Sequence, residues 1–303
     1  HEFLDYLESK GFYIATESRS NHALTFLSLA SSLNMEYLNR FQDELGIEST
    51  ERRILYEAIK NNKVMAFFKT RGYKFVHFSS GWDATNRNSS ADLEFNHGYL
   101  DEFMTVFIQT TILEPFVRHL IERDSRKRIL DTFASLSGSH KIKGKKFVFA
   151  HVLCPHPPFI FGANGEFVPE TKLEMSGDVW AQKENYLNQL LFINKLVKGF
   201  IEEVLSMSQN PPIIILQADH GPWVSYGKMD ETMSIFNAYY LPPGGEKLLY
   251  KTISPVNSFR LIFNFYFGLN YRLLEDRNYY SDCETPYSFI DVTDGLIRDH
   301  RGI

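Results

Sequence analysis

The sequence has 303 residues, of which 44% are hydrophobic and 23% charged, so a globular fold with a sizeable core is expected. The formal net charge of -5 argues against a general nucleic-acid-binding protein, and two cysteines are too few for a disulfide scaffold. No apolar run is long enough to span a bilayer, and the first residues do not resemble a signal peptide.

Helices and strands alternate along the chain. Apolar periodicity and capping residues predict helices at 2–10, 23–38, 52–61, 184–205 and 254–268, with a mostly helical stretch before residue 137. Continuous apolar runs predict strands at 12–15, 73–80, 145–154, 211–221 and 234–245. This alternation predicts a single α/β domain over residues 1–303, with a mainly parallel central sheet and helices on both faces.

Two of these helices carry more detailed expectations. Ser20 or Asn21 is expected to cap the helix at 23–38, because short polar side chains accept hydrogen bonds from the first helical amides. The helix at 184–205 is the most clearly amphipathic, and its apolar residues predict one buried stripe. The stripe consists of Leu187, Leu191, Val197, Ile201 and Val204.

The stretch IIILQADHGPW (213–223) leads an apolar strand directly into Asp219, His220 and Gly221. Ligands of parallel sheets bind beyond the carboxyl ends of the strands, so these side chains are expected at a site. A carboxylate oxygen and an imidazole nitrogen together suit Zn²⁺, Mn²⁺ or a related divalent cation. On the tripeptide alone, an ordinary turn at the end of a strand is an equally good interpretation.

A second candidate stretch is AHVLCPHPPF (150–159), a buried strand that runs into a proline-rich loop. The prolines fix the backbone and therefore the direction of His156, and His151 stands at the end of the strand. A structural histidine and a functional one are equally good interpretations of this stretch taken alone.

A third stretch, SRSNHALTFLSLASSLN (18–34), brings Asn21, Thr25 and Ser28 to the start of a helix. The free amides and the positive dipole end of a helix attract anions. Beside a metal ion, the Thr25 hydroxyl could ionise and attack phosphorus or sulfur. Taken alone, Thr25 is better explained by helix capping or core packing.

In their order and spacing, these stretches resemble the alkaline phosphatase–sulfatase superfamily. The likeness is closest to bacterial sulfatase-like hydrolases and transferases, whose relatives include lipoteichoic acid synthases and phosphoethanolamine transferases. It covers nearly the whole chain and implies an alkaline-phosphatase-like α/β fold. The stretches that carry it are SNHALTFLSLASSLN, HVLCPHPPF, YLNQLLFINKLV, QADHG, YLPPGG and SPVNSFRLIFNFYFG.

The resemblance implies a role for each residue that matches its motifs. Asp219 and His220 would bind one divalent metal ion, Zn, Mn or Mg, and Thr25 would be both a ligand of this ion and the nucleophile. Asn21 would support the nucleophile or the transferred oxygens, and His156 would assist the leaving group.

Four further residues are expected to contact the substrate. His151 follows the same strand as the proline-rich loop, and Trp82, Arg87 and His97 come from the polar loop at 80–96 and its flank. Arg87 would clamp an anionic group with its guanidinium.

The chain departs from the family pattern in three places. It lacks a Cys-x-Pro-x-Arg stretch, which disfavours mature sulfatase chemistry and favours phosphoryl transfer by threonine. It lacks a second histidine soon after Asp219 and His220, so a single metal ion is expected. No strand ending in an acidic ligand precedes residue 12, and Glu17 is the nearest substitute. We therefore expect the chain to begin after the family's first strand, with an unpaired sheet edge beside residues 12–15 and weak metal affinity.

These features together predict a metal-dependent hydrolase or transferase that acts on phosphate esters or phosphodiesters. The expected substrate is a small-molecule, glycan or lipid-headgroup ester, and not a nucleic acid. The alternatives are a sulfate-ester hydrolase and a non-catalytic domain that binds an anionic glycan or lipid headgroup. Relatives are often soluble domains behind membrane-spanning segments, so an extracytoplasmic domain of a bacterial membrane protein is one expected setting. The sequence leaves the oligomeric state open.

Overall fold

The computed structural model describes residues 2–112, 114–168, 182–222 and 229–299. The backbone divides into two units. The first combines His1–Ala66 with Asn210–Ile303, and the second consists of Phe67–Gln209. Both ends of the sequence therefore contribute to the first unit. Within the described ranges, no helix is both long enough and apolar enough to cross a membrane.

The described residues form short strands and mostly short helices. The helices are α1 (Glu2–Ser9), α2 (Thr25–Asn34), α3 (Asn39–Leu45), α4 (Arg53–Lys60), α5 (Lys63–Thr70), α6 (Asp83–Asn86), α7 (Glu102–Gln109), α8 (Glu114–Ser137), α9 (Lys183–Met207), α10 (Met229–Met233), α11 (Pro255–Phe267) and α12 (Thr293–Asp299). The strands are β1 (Tyr13–Ile14), β2 (Lys74–Phe78), β3 (Leu93–Phe95), β4 (Lys146–Ala150), β5 (Ile214–Gln217), β6 (Asn237–Tyr240), β7 (Tyr279–Tyr280) and β8 (Ile290–Asp291).

The main sheet of the first unit has the order β1-β6-β5, and both of its pairings are antiparallel. The expectation of parallel neighbours is therefore wrong for these strands. Because β1 and β5 both oppose β6, they run in the same direction on either side of it. Their carboxyl ends meet at one edge of the sheet, so the segments that follow them emerge together, as a parallel order would also have required.

Helix α2 begins later than the sequence predicts. Its N-cap is Leu24, which makes no side-chain capping hydrogen bond, and not Ser20 or Asn21. The backbone before the helix stays extended, because Arg19 forms a bridge with Ser234 and the amide of Ser20 donates to a carbonyl in α10. These pairings extend the antiparallel alignment beyond β1 and delay the first helical turn.

The second unit contains a parallel sheet with the order β3-β2-β4, which confirms the predicted parallel arrangement there. Helices α8 and α9 pack against each other beside it. In α9, Ile201 and Val204 are buried as predicted, but Leu187 and Leu191 are exposed. The buried stripe starts instead at Gln189 and Ile193, because Gln189 is drawn inward by the loop that it binds.

His22 is an unusual member of the first unit's core. It is fully buried, it stacks on Tyr279 and contacts Phe289, and neither of its ring nitrogens has a hydrogen-bond partner among the described residues. Burial lowers the pKa of His22 from 6.5 to about 3, because the charged imidazolium is poorly solvated among aromatic rings.

We predict that His22 makes the protein sensitive to acid. Between pH 6.5 and about 3 the unfolded chain binds a proton that folded His22 does not, so the free energy of unfolding falls as the pH falls through this range. Replacing His22 with Phe removes both unpaired nitrogens and keeps the ring contacts. It should raise the free energy of unfolding by about 1–3 kcal/mol at neutral pH and flatten its pH dependence. Urea denaturation across this pH range measures both effects.

The exposed His119 provides the control, since His119→Phe should leave the pH profile unchanged. An equally steep profile in the His22→Phe variant would contradict this assignment.

Candidate active site

Thr25 is the first residue of α2 and differs from its neighbours in solvent access. Every other residue from Ser20 to Met35 is buried, whereas Thr25 is half-buried. The N-cap residue, Leu24, makes no side-chain hydrogen bond to the first amide groups of the helix. A hydroxyl and a helix N-terminus are therefore presented together at this point.

The Thr25 hydroxyl lies beside the imidazole of His220. Its Oγ1 is 3.2 Å from His220 Nε2, although the two residues are 195 positions apart in the sequence. Asp219 is close to the same nitrogen, with Oδ2 at 3.4 Å from Nε2. His220 therefore lies beside both Thr25 and Asp219, the two other residues that were predicted to share its site.

Backbone contacts fix the orientation of His220. Its Nδ1 is 2.7 Å from the carbonyl oxygen of Gly221, and a carbonyl can only accept a hydrogen bond. Nδ1 therefore carries the proton in the neutral imidazole, and Nε2 presents its lone pair to Thr25. This is the tautomer required for accepting the hydroxyl proton or for binding a cation through Nε2.

Gly221 is required by close packing and is not a flexible hinge. A Cβ at this position would lie 2.0 Å from the carbonyl oxygen of Glu231 and 2.5 Å from that of Ser234. The Gly221 amide also donates to the carbonyl of Thr232 at 2.7 Å. The segment after β5 is thereby held against α10, and the sequence alone did not indicate this reason for the glycine.

Ser28 joins helix α2 to the segment that carries Asp219. Its hydroxyl donates to the Asp219 carbonyl oxygen at 2.6 Å, one helical turn after Thr25. The hydrogen bond fixes α2 relative to the end of β5 and therefore positions Thr25 relative to Asp219. Ser28 was expected at the helix start, but its sequence position gave no indication of this contact.

Asn21 and Glu17 have other partners in the structure. Asn21 is fully buried, its Oδ1 accepts from the Val256 amide at 2.8 Å, and its Nδ2 donates to the Arg277 carbonyl at 3.2 Å. It thus holds the start of α11, and its predicted support of the nucleophile stays a prediction. Glu17 is exposed and forms an ion pair with Lys251 at 3.8 Å.

The carboxyl ends of the parallel strands in the second unit gather several predicted substrate residues. Phe78 of β2 aligns with Phe95 of β3 and with Ala150 of β4, so the segments that follow them leave the same edge. His151 Nδ1 lies 2.9 Å from Thr85 Oγ1, and the His151 ring meets the edge of Trp82 at a centroid distance of 5.6 Å.

Gln189 of α9 holds the proline-rich loop that carries His156. Its Oε1 accepts from the amides of Ile160 and Phe161 at 2.9 and 3.2 Å, and its Nε2 donates to the His156 carbonyl at 3.2 Å. His156 Nδ1 lies 2.7 Å from the Pro157 carbonyl, which selects the tautomer with a basic Nε2. The predicted role of His156 at the leaving group stays a prediction.

Arg128 organises the loops around Trp82 and His97. Its buried guanidinium donates to the Leu100 carbonyl and to Asp124 Oδ2, and it lies so close to Gly98 that a Cβ there would be 2.0 Å from Nη2. His97 is half-buried, and in the part of the chain that the structure describes its Nε2 has no hydrogen-bond partner. Burial lowers the pKa of His97.

Arg87 is exposed, in keeping with its expected access to an anion. The roles of His97 and Arg87 stay predictions.

Comparisons with known proteins extend these observations. The sulfatase family model matches residues 3–253, which is most of the chain. A search of curated proteins finds no match.

Several solved structures share the fold. The C-terminal periplasmic domain of EcEptC from Escherichia coli superposes with a TM-score of 0.60 at 14% identity, over 97% of this chain and 86% of that one. A structure of that domain in complex with Zn gives a TM-score of 0.61 at 14% identity, over 96% and 85% of the chains. The corresponding domain of phosphoethanolamine transferase EptC from Campylobacter jejuni gives 0.51 at 12% identity, over 91% and 84%.

A fourth structure is a sulfatase. BT1596, a 2-O GAG sulfatase, gives a TM-score of 0.50 at 12% identity, over 86% of this chain and 63% of that chain. At such identities the likeness establishes the fold.

We predict that Gly221→Ala destabilises the first unit. The added methyl group must displace backbone carbonyls of α10, which should lower the free energy of unfolding by about 2 kcal/mol or more. Gly199→Ala, within α9, is the matched control, because nothing lies within 4 Å of the position that its methyl group would occupy and alanine favours helix there. Urea denaturation measures the free energy of unfolding of both variants. Equal values would contradict the proposed packing role of Gly221.

Proposed function

Because the chain belongs to the sulfatase family, we propose that it is a hydrolase or transferase of phosphate esters or phosphodiesters that uses Thr25 as its nucleophile. The observation that carries this proposal is the 3.2 Å contact between Thr25 Oγ1 and His220 Nε2. The half-buried hydroxyl supports it too, because a nucleophile needs access to its substrate, whereas a threonine that only packs the core does not.

A divalent metal ion fits the side chains around Thr25. In the neutral tautomer of His220, the acceptor atom Nε2 lies 3.4 Å from Oδ2 of the Asp219 carboxylate. A carboxylate, an imidazole and a hydroxyl are suitable donors for Zn²⁺ or Mn²⁺. A bound ion would lower the pKa of the hydroxyl and neutralise negative charge on the substrate.

The protein's own residues perform the remaining steps of the proposed reaction. Thr25 Oγ1 would release its proton to solvent, because His220 Nε2 is already used as a ligand, and Oγ1 forms the new bond to phosphorus as the bond to the leaving oxygen breaks. The uncapped start of α2 offers amides to the oxygens of the transferred group. The transferred group then passes from Thr25 to an acceptor. If the acceptor is water the protein is a hydrolase, and if it is an alcohol the protein is a transferase.

The fold neighbours favour a phosphorus ester over a sulfate ester as the substrate. Two of them are periplasmic domains named EptC, one of which is named as a phosphoethanolamine transferase. A threonine in the nucleophile position points the same way, because the chain has no Cys-x-Pro-x-Arg stretch of the kind that sulfatases modify. We propose a substituted phosphoryl group as the transferred unit.

We predict that Thr25→Ala abolishes turnover while leaving substrate binding intact. The loss should be about a thousandfold or more in kcat, because the variant has no atom that can form the covalent bond. Thr25→Ser should retain part of the activity. Assays with aryl phosphate monoesters, phosphodiesters and sulfate esters in Zn²⁺ or Mn²⁺ measure this, and Thr70→Ala is an exposed threonine control.

Full turnover by the Thr25→Ala variant would rule out this nucleophile. Binding of substrate without turnover by the parent protein would instead support a non-catalytic domain, and preferential turnover of the aryl sulfate would support a sulfatase.

We also predict that metal affinity depends on Asp219. Calorimetric titration with Zn²⁺ should show one site, and Asp219→Asn should weaken it by about a hundredfold or more, because a neutral amide is a poor replacement for a carboxylate ligand. Asp43→Asn, an exposed carboxylate in α3, is the control. Equal Zn²⁺ affinity in both variants would show that Asp219 is not a ligand and that other residues bind the ion.

A further inference from the structure

A chain of hydrogen bonds connects the segment after β2 with His151 in the second unit. His151 directly follows β4, and Ser80 lies two residues beyond Phe78, the last residue of the parallel neighbour β2. The Thr85 hydroxyl lies between them, with Oγ1 at 2.8 Å from Ser80 Oγ and 2.9 Å from His151 Nδ1. Ser80 and Thr85 are buried and His151 is half-buried, so the chain leads from the interior to a partly accessible imidazole.

The backbone of Trp82 sets the direction of the donors in this chain. The Trp82 amide donates to Ser80 Oγ at 3.0 Å, and Ser80 Oγ donates to the Trp82 carbonyl oxygen at 3.3 Å. Because the single hydroxyl proton of Ser80 goes to this carbonyl, Thr85 donates to Ser80 and accepts from His151 Nδ1. The opposite direction would leave the contact from Ser80 to the Trp82 carbonyl without a proton. The arrangement that serves every contact therefore places the imidazole proton on Nδ1.

Protonation of His151 leaves these hydrogen bonds unchanged. Nδ1–H is a donor in the neutral imidazole of this tautomer and in the imidazolium, so the two forms differ only at Nε2. In the neutral form Nε2 carries a lone pair, which accepts a hydrogen bond and repels an anionic oxygen. The edge-on contact with the Trp82 ring, at a centroid distance of 5.6 Å, also restricts rotation of the imidazole. The ring thus has a fixed tautomer and a fixed orientation.

We propose that Ser80 and Thr85 are positioning residues that hold His151 as an acceptor for a hydroxyl or ammonium group of the substrate. The inference rests on the proposed function, under which His151 contacts the substrate, and it adds the chemistry of that contact. Neutral Nε2 binds a hydrogen-bond donor and leaves the anionic phosphoryl oxygens to other groups. The substrate class that follows is a phosphate ester whose organic part carries a hydrogen-bond donor.

Nitrogen-15 NMR of histidine-labelled protein tests the positioning step without requiring turnover. The His151 signals are assigned by their loss in His151→Gln, and in the parent protein Nδ1 should carry the proton. Ser80→Ala should shift the proton to Nε2, because the Thr85 hydroxyl then keeps Nδ1 as its remaining acceptor among the described residues. Thr132→Val removes a buried hydroxyl of α8 in the same unit and should leave the tautomer unchanged.

A second pair of variants tests the same step at Thr85. Thr85→Val keeps the shape of the side chain and removes the acceptor of Nδ1–H, so both tautomers of His151 should become populated. Thr85→Ser should restore the parent spectrum. An Nε2-protonated imidazole in the parent, or a parent-like tautomer in both Ser80→Ala and Thr85→Val, would overturn the positioning role.

Titration with three phosphate monoesters identifies the donor group. In Thr25→Ala, 2-hydroxyethyl phosphate or 2-aminoethyl phosphate should shift the Nε2 resonance of His151 and bind about fivefold more tightly than ethyl phosphate, which has no donor in its organic part. The ester with the larger shift distinguishes a hydroxyl from an ammonium donor. The double variant Thr25→Ala/Thr85→Val should lose this preference. Equal affinity for all three esters without a shift of Nε2 would overturn the assigned contact.

The outcome is separable from the proposed reaction. If Thr25 is not the nucleophile, Thr25→Ala retains turnover while the tautomer of His151 and its response to the esters stay as predicted. If instead the positioning step fails, the tautomer measurements fail while Thr25→Ala still abolishes turnover.

Discussion

The hydrogen bond between His220 Nδ1 and the Gly221 carbonyl determines what the candidate site can do. It assigns the imidazole proton to Nδ1 and leaves Nε2 to face the Thr25 hydroxyl at 3.2 Å. The carbonyl can hold this position because the Gly221 amide is tied to α10 and no side chain separates the two backbones. Asp219, His220 and Gly221, at the end of β5, thus form a rigid support beside the Thr25 hydroxyl.

The direction of two strands brings the hydroxyl to this support. β1 and β5 flank β6 and run the same way, so the segments after them leave the sheet at one edge. Ser28 then fixes α2 to the Asp219 carbonyl at 2.6 Å. Backbone pairing and the buried Ser28 hydroxyl thus bring together Thr25 and His220, which are 195 positions apart. The side chains of both residues remain half-buried.

Much of this arrangement was predictable from the sequence, because the relevant patterns are local. Apolar runs located the longer strands. The predicted ends of α11 are also correct, since Ser254 is its N-cap and Gly268 is its C-cap with a left-handed backbone. Strand neighbours were not predictable, because pairing depends on contacts far apart in the chain. The strand at 234–245 was therefore predicted, but its antiparallel pairing as β6 was not.

Other errors arose where tertiary contacts override local preference. Asn21 looks like a cap for α2 but accepts from Val256 at the start of α11. Gln189 interrupts an apolar pattern in α9, and its burial follows from three loop backbone groups that only the folded chain assembles. The only hint of this loop-binding role in the sequence is that Gln189 is polar within an apolar helical pattern. Arg128 is buried for a similar reason, because its guanidinium binds the Leu100 carbonyl and Asp124.

The most direct test of the account is to trap the covalent intermediate. The protein is mixed with a slowly released aryl phosphodiester and Zn²⁺, quenched in acid, digested and examined by mass spectrometry. The account predicts a phosphoryl adduct on Thr25, in the peptide that begins after Arg19, and its absence from the Thr25→Ala variant. An adduct on Ser28 or on any other residue, or turnover with no adduct in a rapidly quenched sample, would contradict it.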